Sequence, residues 1–278
     1  MPIQLEQPIK ALSEQEFHDL DFQVMRLAFD IQNQLGRFYD EKIYQKELLR
    51  ACLINGIQAN AEVKICLAHK AFKKDLFIDL LLNYGAIYEL KTASAIASDY
   101  QIQALDYLLL TEIKHGKIVN FRPPSVEHEF VSTTLDFTAR RNVKVDDNLW
   151  LHHSETADKL KSITLEILAD WGAFLNTALY KEAICYFFGG QENIIQPVRI
   201  TTGEIELGTQ KIPLLSQTET FCISSLKNGI PAYRKHLQRF LDHTDLDTLY
   251  WINLNGSEIQ FSSVSNSNHS VLNYSDLS

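Results

Sequence analysis

Apolar positions recur at helical spacing from Ser13 to Leu35, where Phe17, Leu20, Met25, Leu27, Ala28 and Ile31 share a face. Ser13 and Glu16 form a capping-box pattern at the start, and Gly36 ends the run. A second helix is predicted over about 40–55, with Ile43, Tyr44, Leu48, Leu49 and Cys52 on its apolar side and Gly56 beyond it. The period then changes. AEVKICLAH alternates as a half-buried strand, LFIDLLLN is a second and AIYELKTA a third, with Asn83, Tyr84 and Gly85 turning between the last two. SDYQIQALDYLLLTEI returns to helical spacing, GKIVNF is an apolar strand after Gly116, and HEFVSTTL is a short strand. The order predicts an α/β sandwich around a mixed sheet flanked by helices.

After Arg140 the chain becomes polar, and RRNVKVDDN reads as a connector. The C-terminal half beyond it resembles the first half. A shift of 136 residues pairs LGRFYDEKIYQKEL with WGAFLNTALYKEAI, setting Gly36 against Gly172, Phe38 against Phe174 and Tyr44 against Tyr180. The same shift pairs AIYELK with CISSLK, so that Lys91 meets Lys227. A shift of 133 pairs YQIQALDYLLL with YRKHLQRFLDH and Asn120 with Asn253. A nearly constant offset suggests tandem duplication, and chance alignment of two similar α/β patterns is the alternative. The expected organisation is a first domain over 1–137, a connector over 138–147, a repeat over 148–262 and a flexible Ser/Asn-rich tail over 263–278.

Composition narrows the classes. The chain of 278 residues exceeds the usual size of one domain, so two domains are the first expectation and one large domain the alternative, and 45% apolar residues can fill real cores. No apolar run reaches the roughly 20 residues of a membrane span, and the N-terminus MPIQLEQPIK carries no secretory pattern, so no membrane partner is expected. Cys52, Cys66, Cys185 and Cys222 are scattered, which fits reduced thiols in the cytoplasm. A net charge of −9 argues against broad adhesion to DNA. Lys64, Lys70, Lys73, Lys74, Lys114, Lys117 and Arg122 supply either a local basic strip or ordinary solvated charge.

The candidate chemistry sits on the predicted strands. Glu89 and Lys91, two apart, point to one face, and the preceding hairpin brings Asp79 beside them. Two carboxylates with a lysine make a hard-oxygen site suited to magnesium or manganese, and an ion pair between neighbouring strands satisfies the same spacing. Glu41, near the start of the second helix, is a further carboxylate or simply an acid favoured by the helix dipole. Gln103 and Tyr107 share one helix face.

Residues from about 16 to 131 resemble the GxxExxY family of the PD-(D/E)XK nuclease superfamily. The resemblance rests on LGRFYDEKIYQKEL around Glu41 and Tyr44, FIDLLL with Asp79, YELK with Glu89 and Lys91, QALDY with Gln103 and Tyr107, and IVNF, all in order. It implies a restriction-endonuclease-like core with a mixed four-stranded sheet. It also implies a catalytic set of Glu41, Asp79, Glu89, Lys91, Gln103 and Tyr107, with Mg2+ or Mn2+ bound by Asp79, Glu89 and the carbonyl of Leu90, assisted by Glu41. The glycine that opens the family's naming motif is Phe38 here, with Gly36 two residues earlier.

In the second half the same alignment sets Thr177 against Glu41, Leu215 against Asp79, Ser225 against Glu89, His236 against Gln103 and Phe240 against Tyr107. Without carboxylates this half reads as a pseudo-nuclease repeat, an internal partner making a pseudo-dimer within one chain. Trp171 and Trp251 read as core residues, and the adjacent His152 and His153 as a weak metal pair. The leading expectation is a metal-dependent phosphodiesterase acting on DNA or RNA through one D…ExK site. The alternatives are a non-catalytic scaffold or regulatory module built from two nuclease-like halves, and a toxin or defence effector with the same chemistry.

Overall fold

The computed structural model describes residues 1–151 and 154–270, and divides into two compact units, 1–139 and 140–278. The expected histidine pair, His152 and His153, lies outside the described residues.

The first unit runs β1 (Ile3–Leu5), α1 (Glu14–Leu35), α2 (Glu41–Ile54), β2 (Ala59–His69), β3 (Phe72–Leu82), β4 (Ala86–Lys91), α3 (Ser98–Thr111), β5 (His115–Asn120) and β6 (Glu127–Ser132). The mixed α/β architecture read from the sequence is present, and each predicted helix and strand of this half is found. The sheet has six strands in the order β1-β2-β3-β4-β5-β6, two more than the four of the expected core. The extra width comes from the short β1, which pairs on the outer edge of β2, and from β6 beside β5. β4 and β5 are parallel, which requires a crossover, and α3 supplies it.

The Ser13 hydroxyl accepts from the Glu16 amide while the Glu16 carboxylate accepts from the Ser13 amide, so the capping box forms. The stripe of Phe17, Leu20, Val24, Ala28 and Ile31 packs with Tyr44, Leu48 and Cys52 of α2 against Leu80, Leu82, Tyr88, Leu90 and Val119. Each large side chain so buried contributes about 1.5–3 kcal/mol. One polar network lies within this face: Tyr88 Oη donates to Asp21 at 2.9 Å, and Lys117 Nζ donates to the other Asp21 oxygen at 2.5 Å. Lys117 is buried, so it belongs to no basic strip. Burial pulls its ammonium below the usual range, and the Asp21 carboxylate opposes that.

α4 (Phe137–Arg141) bridges the boundary, and the second unit continues β7 (Lys144–Leu149), α5 (Glu155–Trp171), α6 (Thr177–Phe187), α7 (Gln191–Ile194), β8 (Ile195–Thr202), β9 (Ile205–Pro213), β10 (Glu219–Ser224), α8 (Ile230–Asp242), β11 (Thr248–Asn255), β12 (Glu258–Ser265) and α9 (Ser267–Ser270). The segment expected as a polar connector is helix and strand: β7 pairs in parallel with β12 at the edge of a four-stranded sheet ordered β10-β11-β12-β7. Arg140 is fully buried, donating to the carbonyls of Trp171 at 2.6 Å and Ala173 at 3.0 Å, where α5 leaves its last acceptors unmatched. The tail starts later than expected, because β12 continues to Ser265. β8 and β9 form a separate two-stranded ladder, joined to β10 by the Leu214–Thr220 bridge and by Thr220 Oγ1 donating to the Pro213 carbonyl at 2.7 Å.

Several hydrogen bonds recur in the two units. Tyr44 Oη donates to the Gly36 carbonyl at 2.7 Å and accepts from the Tyr39 amide at 3.4 Å. Tyr180 Oη makes the same two bonds, to Gly172 at 2.6 Å and from Leu175 at 3.3 Å. Gly36 and Gly172 both take a left-handed φ, +77° and +76°, at the helix end, a conformation costly for a side chain. At the end of β4, Asn120 brackets Ala93, donating to its carbonyl at 2.9 Å and accepting its amide at 3.1 Å. Asn253 brackets Leu226 with bonds of 2.9 and 2.7 Å.

Candidate active site

β3 and β4 are paired from Leu82–Ala86 to Leu80–Tyr88 and then separate, so Asp79 and Glu89 face each other just past the last pair. Their side chains take over the backbone groups the ladder no longer uses. Asp79 Oδ2 accepts the Leu90 amide at 2.8 Å, and Glu89 Oε1 lies 3.5 Å from the Asp79 amide. Lys91, on the same face of β4 as Glu89, places Nζ 3.3 Å from Glu89 Oε2 and 3.7 Å from Asp79 Oδ2. The three side chains expected to meet do meet, on a sheet whose other face holds the α1 and α2 core.

Electrostatics follow from this crowding. Glu89 is buried; burial and then the Asp79 carboxylate raise its carboxyl to about 8, against the pull of Lys91. Burial pulls the Lys91 ammonium down, but Glu89, Asp79 and Glu41 outweigh it and hold the group above its ordinary range. Glu41, at the first turn of α2, is half-buried and raised by burial, with Lys91 lowering and Asp79 raising it further. Glu41 therefore belongs to the same electrostatic cluster. Gln103 Nε2 donates to Tyr107 Oη at 2.9 Å on α3, and the phenol is raised by burial and then by Glu89, which places this pair beside the acids.

Sequence reasoning missed two neighbours. Gln45, one turn after Glu41, donates to the Asp79 carbonyl at 2.9 Å and to Glu62 Oε1 at 2.6 Å. Glu62 stands opposite Asp79 between β2 and β3, where the register passes from Ala61–Leu80 to Val63–Ile78, and it has a left-handed φ of +53°. A non-glycine residue in that region is strained by about 1–3 kcal/mol. Glu62 is bound by Gln45 and by Lys42 Nζ, and those hydrogen bonds outweigh its desolvation and lower its carboxyl. The i, i+4 spacing of Glu41 and Gln45 was the available signal. No pattern marked the left-handed kink.

With Lys42 engaged by Glu62, the acids Glu41, Asp79 and Glu89 share the single ammonium of Lys91. With Glu89 keeping its proton up to about pH 8, Asp79 and Glu41 leave an excess of about one negative charge over Lys91, and a divalent cation that displaced that proton would balance the full set of three acids and one ammonium. Among the described residues, no three His, Cys, Asp or Glu side chains converge closely enough to cage a metal alone. Magnesium does not need such a cage: it keeps several waters and takes one or two carboxylates. Asp79, Glu89 and the Leu90 carbonyl, with Glu41 nearby, are a chemically suitable donor set.

The second unit has a different surface at the corresponding place. β10 and β11 pair in parallel with Ser224 opposite Asn253, as Lys91 stands opposite Asn120. Leu214 bridges Thr220 as Leu81 pairs with Ile87. These registers set Ser224 against Lys91, Cys222 against Glu89 and Ile212 against Asp79. The alignment of CISSLK with AIYELK therefore slips by three residues, and Lys227 lies beyond the strand. The Trp251 indole donates to Ser224 Oγ at 2.8 Å and its ring lies 5.0 Å from Tyr233. Aromatic rings occupy this face where acids do in the first unit. Trp171 and Trp251 are both buried, as expected of core residues.

Among comparisons with known proteins, residues 18–132, about two fifths of the chain, match the family model described as PD-(D/E)XK nuclease superfamily. No curated protein and no solved structure matches the chain. No described helix is long and apolar enough to cross a membrane.

Proposed function

We propose that the first unit is a divalent-metal-dependent phosphodiesterase that cleaves nucleic acid, with Asp79, Glu89, Lys91 and Glu41 at its centre and Gln103 and Tyr107 beside them. The observation that carries this reading is the meeting of Asp79, Glu89 and Lys91 where β3 and β4 part, inside the segment that matches the nuclease superfamily. Asp79, Glu89 and the Leu90 carbonyl would hold Mg2+ or Mn2+, with Glu41 assisting. The bound cation would lower the pKa of a water and neutralise charge on the scissile phosphate. Lys91, kept protonated by the surrounding acids, presents positive charge and three donors to the attacking oxygen or to the phosphate. The Asp79–Leu90 bond and the Gln45 bracket fix the acid so that little reorganisation accompanies reaction.

We read the second unit as a degenerate copy of the first, supported by the recurring tyrosine and asparagine hydrogen bonds. Its apolar and hydroxyl side chains at the corresponding positions favour a non-catalytic role for this half, and the scaffold alternative holds for it. All four cysteines are free, two of them buried, which supports a reducing cytoplasmic setting. The test is cleavage of single- and double-stranded DNA and RNA with magnesium or manganese. Activity in the wild type that Asp79→Ala and Lys91→Ala both remove supports the reading; equal behaviour of wild type and Asp79→Ala in every assay overturns it.

A further inference from the structure

The five-residue loop between α1 and α2 leads directly into Glu41 and carries two exposed rings: Phe38 is 78% exposed and Tyr39 47%. The loop is not slack. Tyr44 binds both the Gly36 carbonyl and the Tyr39 amide, and Arg122 donates to the carbonyls of Tyr39 at 3.5 Å and Thr92 at 3.3 Å. Thr92 follows Lys91, so these bonds tie the loop to the end of the strand that bears Glu89 and Lys91. The Arg37 guanidinium lies 5.2 Å from the centre of the Phe38 ring.

The second unit supplies a contrast. Phe174 follows Gly172 at the same spacing, yet its ring packs where a side chain on Gly256 would stand, 3.0 Å away, and only 37% of it is exposed. In the first unit the corresponding position after Asn120 is Pro123 rather than glycine, and the Phe38 ring, with Arg37 against it, is largely exposed. Phe38 is thus about twice as exposed as Phe174, 78% against 37%.

We infer that Phe38, backed by Arg37 and flanked by Tyr39, is a stacking platform for an unpaired base, and that the substrate of this site is a single-stranded stretch of nucleic acid. This rests on the reading of the first unit as acting on nucleic acid. A ring held on a fixed loop presents an apolar face, and in a duplex the base faces are already covered by neighbouring bases, so only an unpaired base can use it. Arg37 and Arg122 give the adjoining phosphates complementary charge in a chain of net negative charge. Stacking tolerates any base, which fits selection by strandedness rather than by sequence.

The test is fluorescence anisotropy of the full chain in chelator, with no metal and hence no cleavage. The probes are a short labelled oligothymidylate, the matching oligouridylate, an abasic strand of equal length and a blunt duplex. The wild type is expected to bind one or both base-bearing single strands about tenfold more tightly than the abasic strand and the duplex. Phe38→Ala should remove that preference while the abasic strand is bound equally by both proteins, and Phe38→Trp should restore it. Equal wild-type binding of base-bearing and abasic strands, no binding of either, or an unchanged preference in Phe38→Ala overturns the inference. Which single strand binds more tightly assigns DNA or RNA. The outcome is separate from the cleavage assay, because a protein that binds single strands through Phe38 yet cuts nothing leaves the platform standing and removes only the enzymatic reading.

Discussion

Asp79 accepts the backbone amide of Leu90 at 2.8 Å across the point where β3 and β4 diverge. An acid that would otherwise swing free is thereby fixed against the residue whose carbonyl would complete the proposed donor set. Asp79→Asn keeps an acceptor for that amide and removes only the charge. The variant should fold with an unchanged circular dichroism spectrum, while metal-dependent cleavage falls by at least about a hundredfold.

Glu89 gives a pH signature that needs no substrate. Its carboxyl rises from an unfolded value near 4.5 to about 8 in the fold, so between those values the folded protein holds a proton that the unfolded chain has released. The stabilisation from that proton is complete below the unfolded value and is lost as pH rises through about 8. Thermal melts of chelated protein should therefore show Tm falling from about pH 6 to about pH 9, and Glu89→Gln should flatten that fall and be the more stable protein at the alkaline end. A parallel decline in both proteins would place the titration elsewhere.

Gln45 is buried and spans Asp79 and Glu62. Gln45→Met keeps most of its volume and removes its bonds, so that the Asp79 carbonyl loses its side-chain donor and Glu62 is held by Lys42 alone. Stability should drop by about 1–3 kcal/mol in urea titrations, and kcat should fall by roughly tenfold to a hundredfold with KM little changed.

The buried Lys117–Asp21 pair is a structural prediction on the opposite face of the sheet. Asp21→Ala strands an ammonium in the core and should cost about 3–5 kcal/mol, whereas Asp21→Leu combined with Lys117→Met should cost much less. Denaturant midpoints of the single and double variants check this.

Much of the first unit was legible because its signals are local. Helical spacing, the Ser13–Glu16 cap and the change to period two place the elements, and the two-residue separation of Glu89 and Lys91 fixes their common face. The meeting with Asp79 followed from a short hairpin. The unread parts depend on distant pairing. β1 has only three residues and exists because β2 offers an edge. Lys117 looked like surface charge because its partner Asp21 is 96 residues away. Arg140 and β7 looked like linker because their partners, Ala173 and β12, come much later in the chain. The three-residue slip at β10 arose because a gapless alignment matched letters, whereas the strand register is set by Asn253.

Asn120 and Asn253 fasten the ends of β4 and β10 with the same pair of amide bonds, although the strands they secure carry Glu89 and Lys91 in one case and Cys222 and Ser224 in the other. Anchorage and reactivity are thus entrusted to separate residues. Such a division lets one way of fastening a strand end carry acids in one unit and a thiol and a hydroxyl in the other, so the surface chemistry can differ while the anchorage stays the same.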